Sequence, residues 1–148
     1  MSSSQQDEKQ PRLRVTSITI GTSQPYDLAH FYARLLSLSV TADEPPISGD
    51  PIRGGWAQIR PPTPESAPTL NFEYEQHFTR PTWPSVPDGQ NATQHLDIAV
   101  DDLDAAVNWA VDQGATVAEV QPQDNVRVLL DLDGHPFCLF EAPNVFPG

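Results

Sequence analysis

The order strand, helix, strand, strand, strand is written twice along this chain, and that repeat restricts its fold more than any other feature. The first copy opens with "LRVTSITI" (13–20), where Ser17 and Thr19 alternate with Ile18 and Ile20, the period of a half-buried strand. Pro25 then stands where a helix starts, and Leu28, Phe31, Tyr32, Leu35 and Leu36 recur at helical spacing. "LSVTAD", "GWAQIRP" and "APTLNFEYEQ" read as three further strands around a Pro- and Gly-rich loop. The second copy opens with "QHLDIAV". Asp101 or Asp102 caps its helix, Leu103, Ala106, Val107, Ala110 and Val111 form the apolar stripe, and Gly114 stops it. "ATVAEV", "NVRVLLDL" and "HPFCLFEAP" complete the module, the last two joined by the turn "DLDGHP".

One helix cannot cover both faces of a small sheet, so a single module leaves a face bare. Two modules solve this by turning their bare faces toward a shared cleft and keeping the helices outside. The expectation is an α+β fold of two βαβββ modules forming a curved, mostly antiparallel mixed sheet around a cleft. The modules span about 13–78 and 93–142, joined by a Pro-rich connector at 79–92. Together they make one domain over 13–148, behind a flexible polar tail at 1–12.

Side chains alternate across a strand, so residues opposite the helix-facing ones line the cleft. With Leu96, Ile98 and Val100 under the helix, His95 and Asp97 point inward, and Ser17 and Thr19 match them in the first module. In "TLNFEYEQ" the polar set Asn71 and Glu73 is assigned inward. In "PFCLFEAP" Glu141 is assigned inward as the counterpart of Glu73. Glu73, His95 and Glu141 thus form an imidazole and two carboxylates, a donor set that suits Mg, Mn, Fe, Ni or Zn. A polar cleft holding no metal accounts for His95 and Asp97 as well. Trp56, Phe72 and Trp83 are aromatic candidates for a pocket wall, with Phe72 better placed in the core and Trp83 in the connector. His135 reads as a turn residue, His30 and His77 as surface or boundary residues, and Cys138 as a small core residue.

A net charge of −12 argues against a phosphate backbone as partner. The lone Cys138, the polar first residues and the lack of a long apolar run point to a cytoplasmic protein with no membrane attachment.

The segments "HLDIAVDDLDAAVNWAVDQGA", "DLDGHPFCLF", "PTWP" and "LAHFYARLL" resemble the vicinal oxygen chelate superfamily, most of all its glyoxalase-like and bleomycin-resistance-like bacterial members. The resemblance implies either a small-molecule-binding protein or a metal-dependent lyase, isomerase or dioxygenase acting on an oxygen-chelating substrate. It places His95, Glu141 and Glu73 at ligand positions, with Glu73 able to act as a base, and Ser17 at the remaining ligand position, where it departs from the pattern. Ser17, Trp56, Asn71 and Asp97 would line the substrate pocket. Related folds pair as homodimers, and the resemblance implies one here.

Overall fold

A computed structural model of the chain describes residues 10–46, 48, 54–63 and 67–146. Most of the expected tail, and parts of two loops in the first module, lie outside the described residues. The first module runs β1 (Ser17–Thr22), α1 (Pro25–Leu36), β2 (Ala42–Glu44), β3 (Trp56–Ile59) and β4 (Thr69–Tyr74). The second runs β5 (Leu96–Val100), α2 (Leu103–Gln113), β6 (Thr116–Val117), β7 (Val126–Leu130) and β8 (Pro136–Glu141). Each module forms its own four-stranded sheet, in the orders β1-β4-β3-β2 and β5-β8-β7-β6. In each, the first strand pairs parallel with the last and the other pairings are antiparallel. β2 and β6 are shorter than their alternating sequences suggest, because each pairs on one side only, over a few residues.

Both helices start where the sequence signals place them, and the second ends at its expected glycine, whereas the end of the first carries no such signal. Pro25 occupies the first turn of α1, and Ser37 closes it in the left-handed region at φ 55. Asp102 caps α2 by accepting from Ala105 N at 3.1 Å, and Gly114 ends it at φ 118, a conformation that favours glycine. The helices touch each other: Trp109 Nε1 donates to the Leu35 carbonyl at 3.1 Å and Arg34 donates to the Gln113 carbonyl at 3.0 Å.

The core is shared between the modules. Tyr32 of α1 stacks on Phe72 of its own sheet at 5.7 Å between centroids and meets Phe137 of the other sheet edge-on at 6.0 Å. Phe31, Phe72 and Phe137 are fully buried. Removing such a ring typically costs about 3–5 kcal/mol, so these contacts hold the two sheets together as well as each helix on its sheet.

Candidate functional site

The pairing registers show which residues of the two modules correspond. Ile18 pairs with Leu70 and Ile20 with Phe72; Leu96 pairs with Phe137 and Ile98 with Leu139. All eight belong to the core or pack against it. The intervening residues therefore face away from the helices. Ser17 matches His95, Thr19 matches Asp97, Asn71 matches Cys138, and Glu73 matches Phe140. This corrects the expected pairing of Glu73 with Glu141. Glu141 is in phase with buried Phe137 and Leu139 but stands exposed at the end of β8, where it also lines the hollow described below. Its Oε2 accepts from Leu103 N at 3.0 Å, so its carboxylate satisfies a donor in the first turn of α2. The similarity of "LNFEYE" and "CLFEAP" is a similarity of letters one position out of phase.

The same correction moves Cys138 out of the core. It is half-buried and lies in a hollow of about 510 Å³ with His95, Asp97, Val126, Val128, Phe140 and Trp83. The connector thus bridges the modules and also supplies a wall. Trp83 Nε1 is buried there and finds no acceptor among the described residues, which costs about 1–3 kcal/mol for a donor shut off from water.

His95 Nε2 lies 3.2 Å from Asp97 Oδ1, with the two side chains 47% and 62% exposed. At that exposure the pair orients the imidazole but adds little stability. Burial raises the Cys138 thiol above its ordinary pKa, and the nearby charge of Asp97 raises it further, so the thiol stays protonated at neutral pH.

Of the expected ligands, only His95 joins a cluster. Donor atoms of His95, Asp97 and Cys138 lie within 4.8 Å of one another, the one such group among the described residues. Nitrogen, oxygen and sulfur donors of this kind fit a zinc-like ion, provided the thiol gives up its proton. Glu73 is exposed on β4, in register with Gly21 and Trp56, and is not in that group. Asn71 accepts from Gln58 Nε2 at 2.9 Å, and the Ser17 hydroxyl lies 3.2 Å from that of Thr16. Ser17, Trp56, Asn71 and Glu73 border neither the hollow nor a second cavity of about 620 Å³ between the modules; Glu141 borders the hollow, and His95 and Asp97 border both.

The turn 131–135 carries residues that sequence reasoning passed over. Asp131 has a fully buried side chain and accepts from Tyr32 Oη at 2.7 Å. Asp133 accepts from Thr22 Oγ1 at 2.6 Å, Ser23 N at 2.7 Å, Ser23 Oγ at 2.9 Å and Gln24 Nε2 at 2.7 Å. Burial pushes the Asp133 pKa up, but these donors outweigh it and hold the carboxyl below its usual range. The turn of one module is thereby fastened to the first helix entry of the other. The available signal was the density of carboxylates in "DLDGHP", which also suits an ordinary turn.

The comparisons agree with this architecture. Residues 17–140 match the family model described as glyoxalase-like domain. Among curated proteins none matches. Similar solved structures include the trypanothione-dependent glyoxalase I of Leishmania major (16% identity, 90% of this chain and 89% of that one, TM-score 0.62). A glyoxalase/bleomycin resistance protein/dioxygenase family enzyme from Burkholderia phytofirmans PsJN aligns at 16% identity over 87% and 98%, with TM-score 0.60. TnmS3, an antibiotic binding protein from Streptomyces sp. CB03234, aligns at 19% identity over 89% and 98%, with TM-score 0.53. Among the described residues no helix is long and apolar enough to cross a membrane. With its two βαβββ modules in matching register and a family match running from β1 into β8, the chain belongs to the glyoxalase-like domain family of the vicinal oxygen chelate superfamily.

Proposed function

We propose that this protein binds a small, partly apolar organic molecule in the hollow of the second module. The observation that carries this reading is the make-up of the wall: Val126, Val128, Phe140 and Trp83 give it an apolar part, and the oriented pair His95 and Asp97, with Gln123, Asn125 and Glu141, gives it a polar part. Small-molecule sites have this make-up, an apolar surface with a few placed polar groups that fix orientation. The apolar wall takes the body of the ligand, and the His95–Asp97 pair exchanges hydrogen bonds with its polar end. Titrating isotopically labelled protein with substituted benzoates and anilines tests the idea. Shifts centred on Val126, Val128, Cys138 and Phe140, abolished in Val126→Arg, support it; shifts that survive that substitution overturn it.

A second reading, a divalent-metal-dependent lyase, isomerase or dioxygenase, is favoured by the convergence of His95, Asp97 and Cys138. Those three side chains would hold the ion, which supplies Lewis-acid polarisation of a substrate oxygen when bound. Phe140 and Trp83 would then shield the bound substrate from water. A cytoplasmic location is supported by the single cysteine, and a homodimer by the family resemblance.

A further inference from the structure

β1 pairs with β4 and β5 with β8, and neither has a second strand neighbour among the described residues. In a parallel ladder, alternate residues turn their main-chain N–H and C=O toward the partner and the others turn them away. The Thr16 carbonyl accepts from Thr69 N at 3.1 Å and the Thr22 carbonyl accepts from Glu75 N at 2.9 Å. The main chain of Ser17, Thr19 and Gly21 therefore points away from β4. The Val100 carbonyl accepts from Ala142 N at 2.8 Å, which turns Asp97 and Ala99 away from β8 in the same way.

Both outward edges border the cavity of about 620 Å³. It is lined by consecutive residues, 18–21 of β1 and 94–97 leading into β5, so contact runs along the main chain and not along one sheet face. His135 Nε2 takes the Gly21 carbonyl. The N–H and C=O of Thr19, the N–H of Gly21 and the N–H and C=O of Asp97 meet no partner in the chain among the described residues. An unpaired strand edge is a template for a further strand, and here two such edges share one space.

We propose that this slot takes an extended peptide, or a compound with a peptide backbone, lying as a strand between β1 and β5. The four residues lining each side correspond to about 13 Å of extended chain, enough for roughly four ligand residues. The pleat of the flanking strands sets the ligand's side-chain pattern. One set of alternate side chains lies beside Ile18, Ile20 and Leu96 and should be apolar. The other lies beside Thr19, His95 and Asp97, where the Asp97 carboxylate and the chain's net charge of −12 favour a basic residue. This site is separate from the hollow described above, although His95 and Asp97 stand on the wall of both.

The test titrates labelled full-length protein with acetyl-Lys-Val-Lys-Val amide and with the same peptide N-methylated at alternate residues, which removes backbone donors along one edge. The expected result is amide shifts at Thr19, Gly21 and Asp97, with binding at least tenfold weaker for the methylated peptide. Thr19→Pro removes one outward N–H at a position where a strand tolerates proline; it should weaken binding several-fold with the circular dichroism spectrum retained. Equal binding of the two peptides, or no shift with either, overturns the proposal. So do shifts at these amides that follow protein concentration without peptide, which would make the slot a contact between copies of the chain. Benzoate or aniline binding in the hollow without peptide binding in the slot would overturn this proposal alone and leave the proposed function standing.

Discussion

His135 and Gly21 belong to different modules, yet the imidazole Nε2 lies 2.8 Å from the Gly21 carbonyl oxygen. The other ring nitrogen, Nδ1, lies 2.9 Å from Asp131 Oδ2. Both partners are acceptors, so a ring protonated on both nitrogens satisfies both, and the arrangement favours the imidazolium. Burial lowers the His135 pKa, but the hydrogen bond and charge of Asp131, the Gly21 carbonyl and the charge of Asp133 outweigh it, and the net shift is upward.

A raised histidine pKa contributes stability that is fully present below the unfolded value near 6.5 and is lost as pH rises through the folded value. Urea unfolding of the wild type and His135→Gln, followed from pH 6 to pH 9, reads this directly. The wild type should exceed the variant by about 3 kcal/mol at pH 6, the scale for breaking a buried charged pair. The gap should narrow toward pH 9; a gap that widens with pH would contradict the imidazolium assignment.

Asp133 works at the acid end. Its lowered pKa contributes stability that is present above the ordinary carboxylate value of 3.8 and lost as pH falls through the folded value. Asp133→Ala strands the fully buried Thr22 hydroxyl and frees the entry to α1. The expected loss at pH 7 is about 2–3 kcal/mol by chemical denaturation, since hydrogen bonds to a charge are the strong ones.

Glu141→Ala separates a helix cap from a metal ligand. It should cost about 1 kcal/mol, the usual value of a lost cap. Zinc content after equilibrium dialysis should match that of the wild type. A drop in zinc would return Glu141 to the ligand set.

If the hollow holds an ion, His95→Ala and Cys138→Ser should each weaken zinc binding at least tenfold in the same dialysis, and Glu73→Ala should leave it unchanged. Zinc retention that is equal in all four proteins would remove the metal-dependent reading.

The repeat, both helices, the boundary signals Pro25, Asp102 and Gly114, and the phase of Ser17, Thr19, His95 and Asp97 away from the helices were legible because hydrophobic period and capping residues are local signals. The phase of Glu141 was not. Strand β8 buries Phe137 and Leu139 under the helices while Cys138 and Phe140 meet the hollow, so both of its faces carry apolar residues and alternation gives no direction. Cys138 was misplaced for the same reason. The buried aspartates of the turn 131–135 were hidden because their partners, Tyr32, Thr22, Ser23 and Gln24, lie in the other half of the chain.

The account turns on the hollow around Cys138 being where a ligand sits. Cys138 is the chain's one cysteine, so N-ethylmaleimide at mildly alkaline pH can fill that space after folding. Nuclear magnetic resonance titrations with the benzoate and aniline set, before and after capping, test the claim most directly. The account predicts binding to the free protein that is lost on capping, with Thr19 and Gly21 amides unmoved throughout. Binding that persists undiminished in the capped protein would contradict it.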